Sequence, residues 1–345
     1  MAIVDKVDRF QRRHRSVGFP LAVVYKFFDD QGPYLAALLT YYGFLSAFPL
    51  LLLLSSILGF VLQGHPTIEH RIMESALSQF PVIGTQLTAQ SLHGDGKAIA
   101  IGLTIALYGA LGVGQALQNA LNVCWAVPRN RRPNPVVSRG RSLLLIVTAG
   151  LFLLVTTVLS GIASSASAYG LDLGSGGGWA LTALTVLLNA GIFLLIFRIA
   201  TAHPMRWRRS IPGALLSALW WQVLQSIGTA YVSFVVKGSS DAYGVFALVL
   251  GLLGWGFLAS CGVVLAIELN VVLAKHLYPR ALLTVFTDNV DLTDADKKYY
   301  EGLVNANRLK GFQQVDVSFE RTLEDLEAET RPVPRRRPRR GSPGR

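Results

Sequence analysis

Six long runs without charge decide what this chain can fold into. Between Gln31 and Thr67 there is no Asp, Glu, Lys or Arg, and the apolar part extends from Leu35 to Leu62. Five more runs follow, over about 98–117, 142–168, 179–197, 211–236 and 243–267, and the last helix is drawn on to 273, taking in Glu268. A hydrocarbon core about 30 Å thick is crossed by about 20 apolar helical residues, so each run is long enough to span a bilayer. A single run could be the core helix of a soluble protein. Six together predict an all-α integral membrane protein, a six-helix transmembrane bundle occupying residues 34–275.

Composition agrees: 51% of residues are hydrophobic, 15% are charged, and the mean hydropathy is +0.42. Soluble domains are about a quarter charged. The net charge of +11 is accounted for once the charges are sorted by side of the membrane. Of the 32 Lys and Arg residues, only Arg71, Lys97 and Lys237 lie in the three loops on one side. The other 29 lie in the arm before the first span, in the 129–141 and 198–209 loops, and from Lys275 onward. Positive residues stay inside, so both termini are expected in the cytoplasm and the protein in the cytoplasmic (inner) membrane. No short apolar core with a small-residue cleavage site precedes the first span, so that span is expected to remain as an anchor.

The flanks carry their own patterns. In the basic arm, residues 1–33, Leu21, Val24, Tyr25 and Phe28 follow helical spacing. They read either as an amphipathic interfacial helix lying on anionic inner-leaflet head groups or as a short solvated helix. The 65–97 loop repeats the pattern with Ile68, Ile72, Ala76 and Leu77. In the small cytoplasmic segment 276–320, Thr293-Asp294-Ala295-Asp296 predicts a capping box opening a helix that Gly311 would end. Val315, Val317 and Phe319 alternate as a short strand would. Residues 321–345 are too basic and Pro-rich to fold. They are assigned to lipid head groups or topology rather than nucleic acid. Cys124 and Cys261 are not placed to form a structural disulfide.

Polar side chains in lipid-facing positions are costly, so those within spans face the bundle interior. Tyr41, Tyr42 and Ser46 on the first span precede Pro49, which should kink it. Gln115, Gln118, Asn119 and Asn122 form one stripe on the second span, Gln222 and Gln225 lie on the fifth, and Glu268 lies near the inner end of the sixth. Together they suggest a polar cavity open to the cytoplasm with Glu268 as its principal charge. Interhelical hydrogen bonding is the competing account. Pro212 and Gly213 open the fifth span, while Gly244, Gly251 and Gly254 concentrate in the sixth; close helix packing explains them and permits a homo-oligomer.

The order of several motifs resembles the YihY/virulence factor BrkB family. Residues 41–50, Tyr-Tyr-Gly-Phe-Leu-Ser-Ala-Phe-Pro-Leu, resemble its first-span signature, and Ala120-Leu121-Asn122 with Trp125 and the Arg-rich loop resembles its second block. Pro212-Gly213, Trp220, Tyr231, Tyr243-Gly244 and Glu268-Leu269-Asn270 are similar to its C-terminal half, so the resemblance covers Tyr34 to Ala281. It implies a polytopic inner-membrane protein linked to envelope function and to lipid or solute movement, in a family that has also carried the label ribonuclease BN. A metal nuclease needs clustered His and Asp ligands, whereas His14, His65, His70, His93, His203 and His276 are scattered. His65, Glu69, His70, His93 and Asp95 fit no standard ligand spacing and read as the polar side of a helix. No phosphate-binding loop or nucleophile elbow is present either.

No catalytic residue, metal or cofactor is expected. The leading expectation is a transporter or lipid flippase-like protein acting on a lipid or small solute. The competing one is a non-transporting scaffold for envelope integrity.

Overall fold

The computed structural model describes residues 2–61, 96–168, 174–203, 206–237, 244–282 and 291–319. Among these residues there are nine α-helices and no strand. Two short helices form the arm, α1 (Ala2–Arg13) and α2 (Arg15–Asp29). Six long ones follow: α3 (Gly32–Val61), α4 (Gly96–Cys124), α5 (Pro135–Ala168), α6 (Gly174–Ala200), α7 (Trp207–Lys237) and α8 (Gly244–Lys275). A last short helix, α9, covers Asp294–Ala306.

Apart from Leu62 and Tyr243, which lie outside the described residues, the apolar runs of the sequence lie inside the long helices, and several helices continue past them. Thus α4 extends to Cys124, α5 begins at Pro135 and α7 at Trp207, while α3 runs through Pro49. Thr182–Ala200 and Val249–Lys275 are the two described windows long and apolar enough to cross a membrane by length and composition. The 65–97 loop and the 321–345 tail lie outside the described residues.

The long helices close a ring in chain order, with α3 packing on α4, α4 on α5, and so on to α8, which returns to α3. Helix α4 also touches α6 and α8 across the ring, and α8 receives α2. Val264, Ala266, Ile267, Glu268, Val271 and Val272 of α8 are fully buried. The outward faces carry apolar rows at helical spacing, such as Leu143, Val147 and Leu151 on α5 and Leu219, Val223 and Ile227 on α7. Exposed apolar surface on this scale is what lipid covers.

Close approach is bought with glycine at a few crossings. A Cβ on Gly213 would lie 2.2 Å from the Ala266 carbonyl of α8, and one on Gly262 would lie 1.9 Å from the Trp220 ring of α7. Asn270 clamps the first of these: its Oδ1 accepts from Gly213 N–H at 2.8 Å and its Nδ2 donates to the Ser210 carbonyl at 3.3 Å.

Three helices end side by side where the arm meets the bundle. Each stops through a residue in the left-handed region: Gln31 (φ 58°) after α2, Ala126 (φ 50°) after α4 and His276 (φ 54°) after α8. Behind Ala126, Val127 N–H reaches the Asn122 carbonyl and Ala126 N–H the Val123 carbonyl, both at 2.8 Å. Behind His276, Leu277 N–H reaches the Val272 carbonyl at 3.1 Å. These closures bring three negative helix-dipole ends together, and the site is built on them.

The segment after α8 differs in part from expectation. The capping box forms on Thr293 and Asp296, but α9 stops at Ala306 with Asn307 as its cap rather than running to Gly311. Val315, Val317 and Phe319 are half-buried, and Asp316 and Ser318 are exposed, as the alternation suggested. They are not assigned as a strand, and among the described residues no other strand supplies the ladder that would define one.

Candidate functional site

The N-terminal arm folds back onto the bundle and inserts Lys26 among three helix ends. Gly18, Ala22, Val23, Lys26 and Phe27 form the buried face of α2. Lys26 is 2% exposed and Glu268, opposite it on α8, is 0% exposed. Lys26 Nζ lies 2.8 Å from Glu268 Oε2, donates to the Cys124 carbonyl at 2.9 Å, and pairs with Asp30 one turn along its own helix. Two of the ammonium's three donors make hydrogen bonds, to Asp30 and to the Cys124 carbonyl, while Glu268 is held as an ion pair. The Cys124 carbonyl is one of those that α4 leaves without an intrahelical partner. Lys275 treats the next one in the same way, donating to the Trp125 carbonyl at 2.6 Å with its ammonium 6.0 Å from the Trp125 ring.

Burial alone would lower the Lys26 pKa, but the Glu268 and Asp30 carboxylates outweigh it and hold the ammonium above its ordinary 10.5. A raised lysine contributes stability that is fully present below the unfolded value and is lost only as pH rises through the folded one. Lys26 is therefore charged throughout the neutral range, and any change in the pair must come from the acid side. Neither oxygen of the Glu268 carboxylate makes a hydrogen bond, and Oε2 is held by the ion pair alone. Asp30, Cys124 and Glu268 offer ligand atoms within 4.8 Å of one another, which is a feasible donor set for a metal ion. The cation at their centre is Lys26, which a metal would have to displace.

A second cluster adjoins the first. Arg280 Nε donates to Asp296 Oδ1 at 2.8 Å and its Nη1 to Asp29 Oδ2 at 2.5 Å. The Arg280 guanidinium lies 4.5 Å from the centre of the Tyr299 ring, and the Tyr299 hydroxyl donates to Asp30 Oδ1 at 2.8 Å. Two acidic residues at a helix C-terminus oppose its dipole, and here each is matched by a buried cation, Asp29 by Arg280 and Asp30 by Lys26. Burial, then the Asp30 carboxylate, raises the Tyr299 phenol, keeping it protonated as a donor.

The residues singled out from sequence are divided by the structure. Glu268 is fully buried, with α2 packed against its helix and Lys26 paired with it. Gln118 is buried and ties α4 to α5, its Nε2 donating to the Ser138 carbonyl and to Ser142 Oγ, both at 3.0 Å. Asn122 Oδ1 accepts from Ala202 N–H at 3.2 Å. Tyr42 and Ser46 pack against Gly112 and Gly109 of α4. Tyr41 and Gln115 are exposed, and Asn119, Gln222 and Gln225 are half-buried. Gly251 accepts from the Tyr231 hydroxyl at 2.9 Å, and Gly254 lies beside that hydroxyl. Pro212 sits within the first turns of α7, and Gly244 begins α8.

Sequence reasoning missed Lys26, Asp30, Cys124, Arg280, Asp296 and Tyr299. The one local signal was a Lys and an Asp four apart at the end of an amphipathic helix, a spacing that on most helices marks a solvated pair.

The sequence profile of the virulence factor BrkB family matches residues 23–283. A UPF0761 membrane protein of Stenotrophomonas maltophilia (strain K279a), Smlt0865, is 27% identical over 293 residues, covering 79% of this chain. The chain spans 64% of the length of that relative. The ribonuclease-like protein YfkH of Bacillus subtilis (strain 168) is 24% identical, with 71% of this chain and 91% of its own length aligned. The inner membrane protein YhjD of Escherichia coli (strain K12) is 26% identical over 67% of this chain and 73% of its own. No solved structure is significantly similar to the chain.

Proposed function

The chain belongs to the virulence factor BrkB family of membrane proteins, and from that premise we propose that it is a multi-pass transporter or flippase-like protein of the cytoplasmic membrane, gated by its arm. In this reading the six long helices are six spans and both termini are cytoplasmic. Helix α2 is the inner gate, and Lys26–Glu268 is the latch that holds it shut. The cargo is a lipid or small solute, and the half-buried Asn119, Gln222 and Gln225 are assigned to its path.

The observation that carries the reading is the pairing of an arm lysine with a bundle carboxylate, both withdrawn from water. A buried ion pair is a poor source of stability, because packed apolar residues of similar volume do as well or better. Its use is that it can be broken. A proton or cation arriving at Glu268, whose carboxylate is held by the ion pair without a hydrogen bond, would weaken the hold on Lys26 and free α2. No catalytic role is assigned: the described histidines are dispersed, with His14 stacked on Phe10 and His203 on Trp125.

The test is movement of fluorescent phospholipids and of small solutes in proteoliposomes. Wild type should show flux of one class, Glu268→Gln should alter its dependence on the proton gradient, and Lys26→Met should raise leak through an unlatched gate. The scaffold reading draws support from Gln118, Asn122 and Asn270, which act as interhelical ties. It predicts no flux by wild type or either variant, and that result would end the transporter proposal.

A further inference from the structure

Helix α2 has two working faces, and only the inner one is spoken for. Val17, Leu21, Val24 and Phe28 line the face opposite Lys26 at helical spacing. Val17, Val24 and Phe28 are 44%, 45% and 59% exposed. Helix α1 divides in the same way. Its inner side is tied to the segment after α8: Asp8 Oδ1 accepts from Leu282 N–H at 3.0 Å, Gln11 Nε2 donates to the Arg280 carbonyl at 2.6 Å, and Arg12 donates to the Asp291 carbonyl at 3.2 Å. With 3.6 residues per turn, the other side presents Lys6, Phe10 and Arg13 as neighbours, all exposed.

We propose that this outer face of the arm is a docking surface for anionic phospholipid head groups, with the α2 stripe among the upper acyl chains and the α1 cations on the phosphates. Three observations select this occupant. On α1, apolar Phe10 and basic Lys6 and Arg13 share one exposed face, which is the chemistry of a head-group boundary. Exposed apolar and aromatic side chains run on along the chain, since Phe28 lies just before α3, whose own exposed side carries Tyr34, Leu38 and Tyr41. The arm is also set in place rather than trailing, because the turn at Gln31 brings Gly32 so close to Phe27 that a Cβ there would lie 2.3 Å from the ring. One helix thereby carries lipid on one face and Lys26 on the other. The docking surface stands whether or not the protein transports anything.

The test uses full-length protein carrying Cys261→Ala, in which Cys124 is buried, with Val24→Cys labelled by an environment-sensitive fluorophore. The protein is reconstituted into phosphatidylcholine vesicles with and without phosphatidylglycerol, and quenching by spin-labelled lipids is compared with quenching by a soluble quencher. The label should be quenched from the lipid side, more by spin-labelled phosphatidylglycerol than by spin-labelled phosphatidylcholine. Each basic residue near such a surface contributes about fivefold in affinity. Lys6→Gln with Arg13→Gln should therefore reduce the phosphatidylglycerol preference more than tenfold, as should high salt, while the elution profile stays that of wild type. Equal quenching by both lipids, unchanged by the charge substitutions, would overturn the proposal. So would quenching only from water, or protection from both sides, which would mean that a protein surface covers the stripe.

Discussion

Two buried cations stand close together where the arm meets the bundle, and they are held differently. Arg280 is gripped by a fork, with separate nitrogens on Asp296 and Asp29 and an aromatic ring against the guanidinium plane. Its main acceptor is itself fixed, since Asp296 Oδ2 takes the N–H groups of Ala281 and Thr293 at 3.0 Å and the Thr293 hydroxyl at 2.8 Å. Lys26 is a point charge on a flexible stem, shared by two carboxylates and a carbonyl that belong to different helices. A planar fork fixes geometry, whereas an ammonium can move among acceptors. In the proposed reading the Arg280 cluster is a joint and the Lys26 cluster a latch, and Tyr299 links them by giving its ring to one and its hydroxyl to the other.

The sharpest way to break this contrast is Arg280→Ala. It strands Asp296, which has no exposure, and removing one partner of a buried pair costs about 3–5 kcal/mol. A large fall in Tm and folded yield in detergent is expected, and Arg280→Lys should recover little because it cannot fork. Full recovery by lysine would show that the joint needs only charge.

Lys26→Met comes next, at about 3 kcal/mol, since it leaves Glu268 and Asp30 facing each other. Adding Glu268→Gln to it should restore part of that loss, with a coupling of about 1–3 kcal/mol in a double-mutant cycle. Strict additivity of the two substitutions would mean that the pair is not a unit. Tyr299→Phe removes one hydrogen bond to a carboxylate and should cost about 2 kcal/mol. Because Tyr299 serves both sites, its loss should also reduce the coupling between Arg280 and Lys26 substitutions.

The smallest effect concerns His203, stacked 4.9 Å from Trp125 at the edge of the latch. Burial first, and then Lys275, lower its pKa below the ordinary 6.5. The unfolded chain therefore takes up the proton first as pH falls, and the stability that His203 contributes is present above about pH 6.5 and lost as pH drops through the folded value. His203→Phe keeps a ring on Trp125 and should flatten the pH dependence of Tm below neutrality by a small amount. An unchanged slope would remove His203 from the account.

Much of the helical content was legible because helices are written locally. The six uncharged runs place the long helices, and Thr293 with Asp296 marks the start of α9 within a residue. The stripe of Leu21, Val24 and Phe28 shows that α2 has an apolar side. What it hides is that this side faces outward: the buried side is Gly18, Ala22, Val23, Lys26 and Phe27, and its lysine looks in sequence like one more solvated charge. Gln118, Asn122 and Glu268 were recognisable as polar groups needing partners, but not which partners. The candidate site was visible from one end only, through Glu268.

The sequence by itself determined that this chain is helical, apolar enough for a membrane and strongly asymmetric in charge, because hydropathy and helical periodicity act over a few turns. Only the tertiary structure decided that residue 26 meets residue 268 and that Asp29 meets Arg280, 251 positions away. A buried charge requires a counter-charge, but nothing in a local pattern names it. The choice is made where the ends of α2, α4 and α8 converge, and it ties an arm legible in sequence by its positive charge and apolar stripe to the bundle through a buried lysine.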